Sequence, residues 1–288
     1  MQQISYPLQC GEAITLQGEF GGTAADFSAL ARLTCTELPE NKLDNAHVIG
    51  EKPGVLIPGE CTAAYQTRSF KSFYDRHGQC FRFYIHEKER INEHLYRVFV
   101  WHFSIISGAI AALLRGQLVQ LMHCSMLEQG DKALLLLGES GIGKSTTMRR
   151  WQAAGGEAEA DDMVLLEYLD RGDVLVHRLP TWSACRESLD NRRYRFDPPL
   201  KLDRILAISR DESQENIREI PRADFYAQLY RCGFFHYLPL VKPMQREEQM
   251  AITEKIRYFT DRLTEKFPPQ ALFAHLDADI NKTLGEWL

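Results

Sequence analysis

Residues 138–145 read Gly-Glu-Ser-Gly-Ile-Gly-Lys-Ser and satisfy the pattern G-x-x-x-x-G-K-[ST]. Gly138, Gly141 and Gly143 let the main chain curl so that successive N–H groups point into one concavity. The positive end of a following helix adds to their attraction for phosphate oxygens. Lys144 supplies a point charge for the outer phosphates, and the Ser145 hydroxyl suits a Mg²⁺ ion bridging them. Glu139, Ser140, Ile142 and the following Thr146 complete the stretch expected to line a nucleotide or other polyphosphate. A bare glycine-rich turn with an incidental Lys-Ser is the competing reading. Against it stands the context, because the pattern follows the apolar run KALLLL and precedes a segment with helical character.

A second group of chemistry-bearing residues follows closely. Asp161 and Asp162 are adjacent carboxylates, a pair that suits phosphoryl transfer to an alcohol because one can hold the metal while the other accepts the hydroxyl proton. The polar stretch Glu157-Ala158-Glu159-Ala160 precedes them and an apolar run from Met163 follows. A metal-binding aspartate in motor and transporter ATPases ends an apolar strand, so that class is disfavoured, and a solvated acidic turn is the remaining rival. His123 follows the run LVQLM. Taken alone, a histidine in that position reads as a hydrogen-bonded structural side chain.

Together, LVQLMHCSM, LLLLGESGIGKSTT and GGEAEADDMVLL resemble the catalytic domain of the HPr serine kinase/phosphorylase family and its smaller relatives, which include kinases encoded beside peptide natural-product pathways. The phosphate-loop style is similar to that of PEP carboxykinase. The resemblance spans residues 116–209. It implies an α/β fold with a mixed sheet around the loop, ATP and Mg²⁺ as cofactors, and transfer of the γ-phosphoryl group to a serine-like hydroxyl on a peptide, protein or small molecule. It further implies Asp161 as general base, Asp162 as metal ligand beside Ser145, and His123 with Lys144 near the transferred group; exchange of the two aspartate roles stays open. The chain departs from the parent enzyme at Thr146, where the parent has an acidic residue, and lacks its phosphorolysis segment. In place of that segment Leu179-Pro180-Thr181-Trp182-Ser183 leads into Arg186, Arg192, Arg193 and Arg195. A monofunctional kinase with an acceptor other than HPr is therefore implied.

Other constellations point elsewhere. Asn41-Lys42-Leu43-Asp44 matches the guanine-reading N-K-x-D pattern upstream of the loop, as in circularly permuted GTPases. Leu38-Pro39-Glu40 precedes it instead of an apolar strand, and no D-x-x-G segment follows the loop. A non-catalytic nucleotide-binding assembly or maturation factor is the other alternative. His86-Glu87 and Glu93-His94 do not form H-E-x-x-H, so no zinc protease is indicated. The arginines at 186–195 can steer an acidic substrate or form a solvated loop diluted by Glu187, Asp190 and Asp197.

These residues must be carried by a sizeable fold. The chain has 288 residues, 44% hydrophobic and 25% charged, the usage of a globular protein large enough to bury its own core. We expect an N-terminal α+β region over 1–115 and a kinase domain with a helical C-terminal extension over 116–288. Alternation at 70–74 and 80–85 predicts short strands, and 93–115 a buried helix ended by Gly116. Strands are expected at 118–122, 132–137 and 204–209, with a hairpin from 163–169 and 174–179 and a helix after Lys144 that stops at Gly155-Gly156. Ile252, Ile256, Phe259, Leu263 and Phe267 recur at helical spacing before Pro268-Pro269.

A net charge of −5 gives no global pull toward nucleic acid or anionic lipid. The apolar run at 99–114 is short of the ~20 residues that span a bilayer. Seven scattered cysteines without a C-x-x-C pair, together with an N-terminus lacking signal-peptide features, predict a reduced, cytoplasmic protein. The expected partners are a nucleotide and a hydroxyl-bearing acceptor, with neither nucleic acid nor membrane and a homo-oligomer left open.

Overall fold

A computed structural model of the chain describes residues 2–7, 13–19, 48–50, 61–66, 70–75, 80–85, 106, 109–110, 113–114, 118–179, 199–211, 213–242 and 244–284. Two compact units emerge. The first comprises Met1–Val119, Cys185–Tyr194 and Tyr237–Thr253, the second Gln120–Ala184, Arg195–His236 and Glu254–Leu288. The first unit contains β1 (Gln2–Pro7), β2 (Ala13–Glu19), β3 (Val48–Gly50), β4 (Cys61–Gln66), β5 (Phe70–Asp75) and β6 (Cys80–Ile85), in the sheet order β1-β2-β3-β6-β5-β4. The strands expected near 70 and 80 form the β5–β6 hairpin, paired from Phe70 opposite Ile85 to Asp75 opposite Cys80. Ile106, Ala109, Ile110 and Leu113 are helical and buried. Their i, i+3, i+4, i+7 spacing is one apolar helix face.

The second unit is built on a nine-stranded mixed sheet. Its strands are β7 (Val119–Met122), β8 (Cys124–Gln129), β9 (Lys132–Leu137), β10 (Glu157–Asp161), β11 (Val164–Tyr168), β12 (Val174–Arg178), β13 (Leu200–Arg210), β14 (Asn216–Glu219) and β15 (Gln270–Ala274). The sheet runs β10-β8-β9-β13-β12-β11-β7, with β15 beside β13 and β14 beside β15. β13 lies parallel to β9 and to β15, whereas the β8–β9, β11–β12 and β14–β15 pairs are antiparallel. The expected β11–β12 hairpin is present, with Val164 opposite Arg178 and Tyr168 opposite Val174.

Helix α1 (Lys144–Ala153) follows β9 directly after the glycine-rich turn. It ends where predicted: Gly155 has φ 93°, and Gly156 lies so close to the Trp151 ring that a Cβ there would sit 2.1 Å from the indole. Trp151 joins Leu127, Leu134, Leu136, Ala158, Leu206 and Leu272 in the core on that side of the sheet. The remaining helices of interest are α2 (Arg222–Phe235), α3 (Arg246–Lys266), of which Glu254 onward belongs to this unit, and α4 (Ile280–Leu284). No helix among the described residues is long and apolar enough to cross a membrane.

Three features depart from the expectations. The C-terminal third is not purely helical, because β14 and β15 extend the sheet; QALFA at 270–274 is too short for its periodicity to announce a strand, and pairing with β13 decides it. β8, unforeseen as a strand, is buried from Cys124 to Glu128. Glu157-Ala158-Glu159-Ala160, read as a polar approach to the acidic pair, is strand β10, in which Ala158 and Ala160 are buried and Glu157 is exposed. Asp161 therefore does end a strand. The residue pattern at 41–44, the His-Glu pairs at 86–94, the Gly116 cap and the arginine segment at 186–195 lie outside the described residues.

Candidate functional site

The turn at 138–143 connects the C-terminal end of β9 to α1, at the edge of the parallel β9–β13 pair. Its shape depends on glycine at particular points. A Cβ on Gly138 would lie 2.8 Å from Cγ2 of both Ile142 and Ile208, so a side chain is excluded there. Gly141 (φ 80°) and Gly143 (φ 122°) adopt left-handed backbone, and a Cβ at either would meet nothing within 4 Å. The outer side of the curl is thus open. Arg210 at the end of β13 tethers it, donating from Nε to Ile142 O at 3.1 Å and from a terminal nitrogen to Gly141 O at 2.5 Å. Glu139, Ser140, Gly141 and Thr146 are exposed, Ile142, Gly143 and Ser145 half-buried, and Lys144 buried.

Lys144 Nζ donates to Gly138 O at 2.7 Å, to Glu139 O at 3.1 Å and to His123 Nε2 at 3.1 Å. The last direction follows from the other ring nitrogen. His123 Nδ1 lies 2.9 Å from Asp162 O, a carbonyl that can only accept, so Nδ1 carries the proton and Nε2 offers its lone pair. Burial pulls the Lys144 ammonium below its ordinary pKa, while Asp162 and Asp161 pull the other way.

Asp161 is buried at the end of β10, where its Oδ1 accepts from Ser125 Oγ at 2.5 Å and from Ser145 Oγ at 3.1 Å. The first hydroxyl comes from β8, the second from the first turn of α1. Asp162 is more accessible, with a side-chain exposure of 28%, and its Oδ1 lies 3.2 Å from His123 Nδ1. It is the one non-glycine residue with positive φ (91°) among the described residues. Its main-chain carbonyl accepts a second imidazole, with His236 Nε2 at 3.0 Å. The two carboxylates, adjacent in sequence, consequently face different partners: Asp161 the Ser145 side, Asp162 the His123 side.

The geometry brings together His123, Lys144, Ser145, Asp161 and Asp162. It also adds two residues that the sequence reading did not select. Ser125 lies two residues beyond His123 on the buried stretch of β8, where a polar side chain is itself a signal that a partner waits. His236 had no local signature, since it comes from the end of α2. As to metals, the hydroxyl of Ser145 beside the Asp161 carboxylate is a hard oxygen set of the kind Mg²⁺ takes. His123, Asp162 and His236 offer donor atoms within 4.8 Å of one another, a nitrogen-rich set suited to a transition metal. Both imidazoles, however, point an N–H at Asp162 O, and a ring nitrogen bearing a proton cannot ligate.

No family model matches the chain, and no curated protein matches it. Among solved structures it is similar to the Hpr(Ser) kinase/phosphatase from Coxiella burnetii, with 14% identity and a TM-score of 0.25 over 35% of this chain and 78% of that one. The likeness is distant.

Proposed function

We propose that the chain is an ATP-dependent, Mg²⁺-requiring kinase that transfers a phosphoryl group to a hydroxyl. The observation that carries this reading is the convergence, at the C-terminal edge of β9, of an open glycine curl, the Lys144 ammonium, and a Ser145–Asp161 contact with Asp162 and His123 alongside. The curl and Lys144 would gather the phosphates. Ser145 and Asp161 would hold the metal, which neutralises phosphate charge when bound. Asp162, the more accessible carboxylate, would take the acceptor proton, with His123 fixing its orientation. That division exchanges the two aspartate roles implied by the family resemblance and follows from which acid touches Ser145. The enzyme's contribution is positioning and charge placement, and the acceptor is a hydroxyl-bearing peptide, protein or small molecule.

The test is calorimetric titration with Mg²⁺ and a non-hydrolysable ATP analogue, followed by incubation with γ-labelled ATP and candidate acceptors read by mass spectrometry. Wild type should bind the analogue, and Lys144→Ala should weaken binding by at least about tenfold through loss of the phosphate-facing charge. A wild-type protein that binds no polyphosphate would end this reading. Tight binding without transfer to any acceptor would favour an assembly factor, and acceptor-independent hydrolysis with guanine preference would favour a GTPase.

A further inference from the structure

The end of α2 meets both the glycine turn, where Arg231 donates to Glu139 Oε1 at 2.8 Å, and the acidic pair. Three contacts, from Cys232, Phe235 and His236, reach the acidic pair, the first two through His123. His123 N donates to Cys232 O at 3.0 Å, which fixes the histidine's main chain against the helix. The Phe235 ring stacks on the His123 imidazole, with centroids 4.4 Å apart and an interplanar angle of 29°. His236, buried at the helix terminus, points Nε2–H at the carbonyl of Asp162, and its ring sits edge-on to His123 at 5.2 Å. Asp162 O is thus gripped from two sides, by His123 Nδ1–H and His236 Nε2–H.

That grip falls on a residue whose backbone is otherwise unfavourable. A non-glycine residue at φ 91° is strained, and such strain persists only where surrounding contacts over-determine it. A carbonyl with two lone pairs can accept two N–H donors, and satisfying both fixes the peptide plane following Asp162. We propose that His236 is a positioning residue: together with His123 it clamps the Asp162 carbonyl, holds the strained backbone, and so aims the Asp162 carboxylate at the acceptor side of the site. His236 touches no reacting atom. The proposal rests on the kinase reading for its functional consequence, but the clamp itself is a property of the ligand-free protein.

The experiment has two arms. In the first, ¹⁵N-detected imidazole spectra of the ligand-free protein should show two hydrogen-bonded ring N–H protons, from His123 Nδ1 and His236 Nε2, protected from exchange. His236→Leu should abolish one and shift the other. In the second, MgATP turnover with water as acceptor should fall at least about tenfold in kcat for His236→Leu, while KM for MgATP changes less than about threefold. His236→Gln, which keeps an N–H at the Nε2 position, should recover kcat to within about threefold of wild type.

Unprotected imidazole protons in wild type, or unchanged kcat in a folded His236→Leu protein, would overturn the clamp. A folded His236→Gln that fails to recover would do so as well, since it would reduce His236 to a packing role. Binding of Mn²⁺ or Zn²⁺ by the ligand-free protein that disappears in His236→Gln would replace the clamp with a metal site. A wild type that shows both protected protons yet neither binds nor turns over MgATP would leave the clamp standing and remove the kinase reading instead.

Discussion

At Asp162 a side chain occupies backbone space that glycine enters far more readily, with φ at 91°. The residue keeps its carboxylate there because its carbonyl is held by two imidazoles and its Oδ1 lies 3.2 Å from His123 Nδ1. Removing the carboxylate while relieving the backbone should separate these effects. Asp162→Gly should be more stable to urea than Asp162→Ala by about 1 kcal/mol, because alanine retains the strained Cβ without the interactions that offset it. Equal unfolding midpoints for the two variants would show that the left-handed backbone carries no strain. The types of the site residues were legible in the chain: the Gly138, Gly141, Gly143 and Lys144-Ser145 spacing is contiguous, and the acid pair is adjacent. Which acid meets Ser145 was not legible, since neighbours on an extended chain point to opposite sides and only the position of α1 chooses between them.

Among the elements, β10 is the one on which the acid pair depends. Its register with β8 is irregular between Glu157 and Ala160, and Glu128 of β8 bridges that irregularity by accepting from Glu159 N at 3.1 Å. The same carboxylate is paired with Arg178 of β12, whose Nε lies 3.2 and 3.1 Å from its two oxygens and whose Nη2 lies 2.7 Å from Oε2. β12 is three places from β8 in the sheet order, so the sheet curls far enough for the two to meet. Arg178 and Glu128 are both buried, and an unpaired carboxylate in that position is costly. Arg178→Ala should lower stability by about 3–5 kcal/mol in urea unfolding. It should also speed hydrogen exchange at the Glu159 amide, because the released Glu128 no longer holds β10. A loss below 1 kcal/mol with unchanged exchange would show that the pair does not anchor this strand. β10 itself could have been found from its strict Glu-Ala-Glu-Ala alternation, which is the period of a half-buried edge strand. Its charge hid it, because acids are associated with turns. β8 was hidden differently: a strand buried on both faces carries no alternation at all.

On the scale of the second unit as a whole, α2 must approach the sheet closely for its terminus to reach Asp162. Gly233 permits that approach, since a Cβ there would fall 2.0 Å from Gln120 Nε2 and 3.7 Å from Ile256 Cγ2. Gly233→Ala gains about 1 kcal/mol in helix propensity but should lose about 1–3 kcal/mol through overpacking against the buried Gln120. The net expectation is a modestly lowered Tm that Gln120→Ala restores in the double variant, a coupling between contacting residues. Simple additivity of the two substitutions would sink the close-approach account.

The sequence by itself determined the strand, glycine turn and helix at 132–153, the β11–β12 hairpin and the residue types of the candidate site, because these rest on contacts between neighbours in the chain. Tertiary structure alone decided that Asp161 faces Ser125 and Ser145, that β15 joins β13, and that His236 arrives 74 residues after Asp162 to grip its carbonyl. Such pairings depend on where the chain returns, and a residue brought in by a distant helix leaves no periodicity or spacing beside the group it serves.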